Sequence, residues 1–86
     1  MVIKLESLFI DQLEKCSTEF QKEFRKIYQQ LKIVDKPLEV KGIYKNKLNK
    51  NNYKLFIDKS RISLNYENGI LTFACFYYNQ FFGDDD

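Results

Sequence analysis

The chain has 86 residues, 44% of them hydrophobic and 16% aromatic, with a formal net charge of +2. That is apolar material for one small core, which excludes a disordered tail and predicts a single domain over residues 1–86. With no His in the sequence, imidazole acid–base chemistry and His-containing zinc sites are excluded, and no apolar run approaches the roughly 20 residues of a membrane span.

Val2 to Leu5 alternates apolar and polar residues and predicts a short first strand. Ser7 is the expected N-cap of a first helix, on which Phe9, Leu13 and Cys16 recur at helical spacing. Ser17 is the expected cap of a longer second helix, whose apolar stripe is Phe20, Phe24, Ile27, Tyr28 and Leu31. Pro37 closes the helical region by disfavouring helix at Lys36. Leu38 to Tyr44 then resumes as an irregular strand or extended connection, and Lys45 to Asn52 reads as a mobile basic loop.

Tyr53, Leu55 and Ile57 alternate with Lys54 and Phe56, so this strand has one apolar face and one bearing a lysine and an aromatic. A turn at Asp58–Ser60 leads to a strand over Arg61–Tyr66, and Asn68-Gly69 is a strong type I′ hairpin signal before a last strand over Ile70–Tyr78. Counting back from that turn sets Glu67 opposite Ile70, Tyr66 opposite Leu71, Leu64 opposite Phe73, Ile62 opposite Cys75 and Arg61 opposite Phe76. Ile62, Leu64, Tyr66, Leu71, Phe73, Cys75 and Tyr77 are then expected in the core. Arg61, Ser63, Asn65, Thr72, Ala74, Phe76 and Tyr78 form the opposite face, a polar and aromatic surface around one cation. The predicted class is α+β: a short N-terminal strand and two helices packed on one face of a curved antiparallel sheet, with the other face open.

Charge is unevenly distributed. Lys41 to Arg61 contains seven basic residues against the single acid Asp58, whereas four acids and no base follow Ile62. Such a local excess attracts a polyanion such as RNA, unless it is only a solvated basic loop. Cys16 and Cys75 lack metal-ligand spacing and fall on predicted apolar faces, so buried free thiols are expected. These suit a reducing cytosol, and with no signal peptide the expected location is cytoplasmic, with no membrane partner. No metal or other cofactor is expected.

The order of a short strand, two helices, Lys-Pro-Leu, Tyr-Lys-Leu-Phe-Ile, Arg-Ile-Ser-Leu-Asn-Tyr, Glu-Asn-Gly and Ile-Leu-Thr-Phe-Ala-Cys resembles the RelE/ParE superfamily of bacterial toxins over roughly Val2 to Tyr78. Its most specific part is Tyr53–Tyr66, which is similar to the family's Tyr-Arg-(x)-Arg-(x)-Gly-x-Tyr-Arg-(x)-x-Tyr pattern, with Lys54 at the first basic position and Arg61 at the last. The resemblance implies the family's microbial-RNase-like fold and the toxin of a type II toxin–antitoxin pair, favouring the RelE-like branch of ribosome-dependent mRNA endoribonucleases. It implies as partners the ribosome, mRNA and a cognate antitoxin that covers the basic surface in a hetero-oligomeric complex. Two alternatives stay open: a ParE-like inhibitor of DNA gyrase, and a catalytically degenerate relative that only binds antitoxin or RNA. The last is kept open by a departure from the family, whose active members carry Arg, His, Lys or a terminal Tyr after the last strand. Here the chain reads Phe76-Tyr77-Tyr78-Asn79-Gln80-Phe81-Phe82.

RNA cleavage by 2′-OH attack needs a proton acceptor, positive charge on the developing phosphorane and a proton donor for the leaving oxygen. Arg61 is the candidate for the charge, because its planar fork matches two phosphate oxygens; the plainer reading is an ion pair with Asp58 or Glu67. Lys54 is the candidate base, or simply a phosphate contact. Tyr78 is the candidate acid or a stacking platform, and Phe76 a second platform. Lys45, Lys47, Lys50 and Lys59 complete the expected phosphate-binding set. Phe81 and Phe82 are expected to fold over the core or dock on a partner, and Asp84–Asp86 to pair with the basic loop or fray.

Overall fold

The computed structural model describes residues 1–78; the expectations for Phe81, Phe82 and Asp84–Asp86 lie outside the described residues. The elements are β1 (Val2–Leu5), α1 (Ser7–Glu14), α2 (Thr18–Ile33), a 3-10 turn at Pro37–Glu39, β2 (Ile43–Lys45), β3 (Asn52–Ile57), β4 (Ser60–Glu67) and β5 (Ile70–Tyr78). The strands form one sheet in the order β1-β5-β4-β3-β2. The α+β class is as expected, but the sheet is mixed, because β1 runs parallel to β5. No turn joins these two strands, so hairpin reasoning does not set their relative direction.

Helix α2 begins where Ser17 accepts the Phe20 N–H on its side-chain oxygen at 3.1 Å, filling one of the orphan donors of the first turn. Helix α1 differs from expectation. Its N-cap is Glu6, without a side-chain cap bond, and Ser7 is already inside the helix. Helical alternation delivers Phe9 from α1 and Phe20, Phe24 and Leu31 from α2 into the core, with Ile27 and Tyr28 packed at its margin. The Phe9 and Phe24 rings meet Phe73 of β5 at centroid distances of 5.2 and 5.3 Å, which seats both helices on the same face of the sheet. Each buried side chain of this size contributes about 1.5–3 kcal/mol.

The central hairpin turns at Asn68 and Gly69 with φ of 55° and 78°, both left-handed as a type I′ turn requires. Close to the turn the pairing is as counted, through Leu64 opposite Phe73. Beyond it, two register shifts intervene, and the pairs become Ser63 with Cys75, Ile62 with Phe76 and Arg61 with Tyr78. Ala74 and Tyr77 are the extra residues of two β-bulges. Each bulge reverses the alternation, which corrects several expectations. Phe76 points into the core and is 6% exposed, Tyr77 is 50% exposed, and Cys75 is half-buried opposite Ser63.

Leu38 to Tyr44 is also less extended than expected, with the 3-10 turn preceding the three-residue β2, and Leu38 is exposed while Val40 and Ile43 are buried. The Lys45–Asn52 segment is a turn held by asparagines. Asn46 and Asn49 accept from the backbone of Leu48 and Asn51 at 2.9 and 3.0 Å, and the Asn46 N–H closes onto the Asn52 carbonyl at 2.9 Å. Among the described residues, no helix is long and apolar enough to cross a membrane.

Candidate nucleic-acid interface

The helices cover one face of the sheet. On the other, strand alternation brings Lys4, Tyr44, Lys54, Phe56, Arg61, Ser63, Asn65, Thr72, Cys75 and Tyr78 to a common open surface. Arg61 is its centre. It lies opposite Phe56 on one side and Tyr78 on the other. Its guanidinium carbon stands 4.3 Å from the Phe56 ring centroid, and the Tyr44 ring leans on Phe56 at 5.1 Å. The cation is thus held by an aromatic stack. Among the described residues neither Asp58 nor Glu67 forms an ion pair with it; the Glu67 carboxylate accepts instead from the Asn51 side-chain amide at 3.3 Å.

The three residues expected to carry chemistry share this face. Directly paired strand residues have Cα atoms about 4.5–5.5 Å apart, so Arg61 and Tyr78 are near neighbours. Lys54 pairs with Ser63, two positions along β4 from Arg61, which sets it about 8 Å from Arg61. Such spacings suit one phosphodiester reached by three long side chains.

The expected phosphate-binding set is not brought together. Phe76, expected as a stacking platform, is core; it stacks on Phe9 at 5.2 Å and 11° and meets Phe20 at 5.7 Å, so no base can reach its ring. Lys45 pairs with the buried Tyr53, and alternation directs it to the helix side of the sheet edge. Lys47 and Lys50 lie in the β2–β3 turn, at the opposite end of β3 from Arg61, roughly 13 Å along the strand. Only Lys59, in the β3–β4 turn, is close in chain to Arg61. Sequence reasoning missed Tyr44 and the contact of Phe56 with Arg61. The alternation of Lys54 with Phe56 does place Phe56 on this face, but the short β2 that brings Tyr44 beside it has no comparable pattern.

A cleft lies elsewhere on the molecule. With a volume of about 840 Å³ between α2 and the sheet edge, it is lined by Glu19, Glu23 and Asp58 against Lys41, with Phe20, Ile27 and Ile57 as apolar wall, and touches the open face at Phe56. Its acidic balance disfavours phosphate. Among the described residues no group of three or more His, Cys, Asp or Glu side chains is placed to hold a metal ion.

No protein-family model matches this chain, and no curated protein matches it. The structure is similar to a chain in the crystal structure of the RelB–RelE antitoxin–toxin complex from Methanococcus jannaschii, with a TM-score of 0.75 at 17% identity, covering 87% of this chain and 88% of that one. The two chains share a fold. It is the RelE-like α+β arrangement expected from the sequence, with the mixed sheet described above.

Proposed function

We propose that the chain is a single-domain toxin of a type II toxin–antitoxin pair: a cytoplasmic endoribonuclease that cuts mRNA on the ribosome and is silenced by a cognate antitoxin. Of the two components of a RelB–RelE complex, an open cationic sheet face fits the one that meets RNA. The observation that carries the reading is Arg61 on that face, stacked on Phe56, flanked by Tyr78 and Lys54, and with no carboxylate partner among the described residues.

In this reading the Arg61 fork pairs with two non-bridging oxygens and stabilises the charge that develops as the 2′-oxygen attacks phosphorus. Lys54 sits at the distance of a neighbouring phosphate or of the attacking hydroxyl, and serves as base or phosphate contact. The Tyr78 hydroxyl supplies the proton for the leaving 5′-oxygen, or its ring supports a displaced base. Expression without antitoxin then arrests growth and truncates translated mRNA, and Arg61→Ala relieves both, with cleavage by purified protein on ribosomes falling about 10²–10³-fold. Equal ribosome and RNA binding by wild type and Arg61→Ala would remove the basis for the proposal.

The run Phe76-Tyr77-Tyr78, with Phe76 inside the core, favours one second reading, a degenerate relative that binds antitoxin or RNA without cutting. Its signature is antitoxin binding with no growth arrest. Arrest with intact mRNA and inhibited supercoiling would point instead to gyrase.

A further inference from the structure

We infer that Gln12, on helix α1 and outside the RNA-facing surface, is the positioning residue that holds β5 in the doubly bulged register setting Tyr78 opposite Arg61. The role of that register in RNA binding rests on the function proposed above. The register itself does not.

Strand β1 covers the outer edge of β5 only as far as Phe73, which pairs with Leu5 and accepts the Glu6 N–H at 3.0 Å. There the chain leaves the sheet for α1, and β5 continues for five more residues. Gln12 takes over at this edge. Its side-chain carbonyl accepts the Phe76 N–H at 2.8 Å, and its side-chain NH₂ donates to the Phe76 carbonyl at 3.5 Å. A carboxamide presents a donor and an acceptor side by side as a peptide unit does, so Gln12 stands in for one residue of the strand that β1 no longer supplies.

Phe76 lies between the two bulges. Without them, the count from the Asn68-Gly69 turn puts Phe76 opposite Arg61 on the open face and carries Tyr78 past Arg61. With them, Phe76 faces Phe9 and Tyr78 faces Arg61. Phe9 and Gln12 are three residues apart on α1 and so lie on the same side of the helix. The ring fixes which way Phe76 points, and the amide fixes where its backbone sits along the strand. The side chain that meets Phe76 is therefore the one that decides what Arg61 finds across β5.

The test uses the full chain in solution. Gln12→Ala is expected to speed hydrogen exchange of the Phe76 amide about tenfold, the effect of losing one hydrogen bond, and to abolish the cross-strand nuclear Overhauser contact between Arg61 and Tyr78. Affinity for a short single-stranded RNA oligonucleotide is expected to fall about tenfold, with no further loss on adding Tyr78→Phe. Gln12→Glu keeps an acceptor for the Phe76 N–H and is expected to retain the Arg61–Tyr78 contact, a rescue that bulk packing alone does not predict. An unchanged contact and unchanged Phe76 exchange in Gln12→Ala would overturn the inference; should that variant not fold, the same two readouts on Gln12→Met, which keeps the length of the side chain, decide. A wild-type chain that shows the contact but binds no RNA would overturn the proposed function and leave the role of Gln12 standing.

Discussion

An arginine stacked on a ring keeps its guanidinium donors for a ligand, whereas one in a bidentate pair with a carboxylate has two of them engaged. Arg61 over Phe56 is of the first kind. Arg61→Lys keeps the charge and loses both the fork and the planar stack, so it is expected to retain measurable RNA binding in a filter or anisotropy assay while cleavage falls with Arg61→Ala. Phe56→Leu keeps an apolar side chain but removes the ring, and is expected to weaken RNA affinity roughly 2–5-fold, the cost of one exposed cation–π interaction. Ser60 makes an opposite case. Its hydroxyl is fully buried and has no hydrogen-bond partner among the described residues, so Ser60→Ala is expected to stabilise the fold by about 1 kcal/mol, read as a rise of roughly 4–8 °C in Tm. At this scale the sequence was informative about Arg61, Lys54 and Tyr78 as residue types sharing a face. It was silent on Ser60, because a serine opening a strand next to a turn looks like a turn residue.

Elements with a strong period were legible. The stripe on α2 and its Ser17 cap follow from the 3.6-residue repeat and from the chemistry of orphan N–H groups, and Ser17→Ala is expected to cost about 1 kcal/mol by chemical denaturation. The Asn68-Gly69 turn was legible for the same kind of reason: left-handed φ at two consecutive positions favours these residues. The bulges of β5 were not. Alternation extrapolated from the turn fails at Ala74 because the register there answers to side chains far away in the chain, Phe9 and Gln12, rather than to neighbours. A run such as Phe73-Ala74-Cys75-Phe76-Tyr77 carries apolar residues for either phase, and the choice is tertiary. Phe9→Ala is expected to cost about 3–5 kcal/mol, since it removes the ring that Phe24, Phe73 and Phe76 share.

At the scale of the whole molecule, positive charge is split between the Arg61–Lys54 face and the asparagine-held turn that carries Lys47 and Lys50. RNA length should therefore matter. Lys47→Ala with Lys50→Ala is expected to leave binding of a two- or three-nucleotide RNA nearly unchanged while weakening longer strands and reducing their salt dependence, by a slope of about 0.7 for each phosphate that is no longer neutralised. The class of the fold was legible because strands and helices each announce their period. The parallel pairing of β1 with β5 was not, since two segments separated by nearly the whole described chain carry no local record of meeting.

That pairing has a consequence for the order of events during synthesis. The strand that flanks Arg61 and supplies Tyr78 is the last of the described elements to be made, and its other neighbour, Val2–Leu5, is the first. While the polypeptide is still growing, β1 has no strand to lie against and Arg61 faces no tyrosine. A nascent chain carries the parts of the surface but not the surface, which is complete only once β5 lies between β4 and β1.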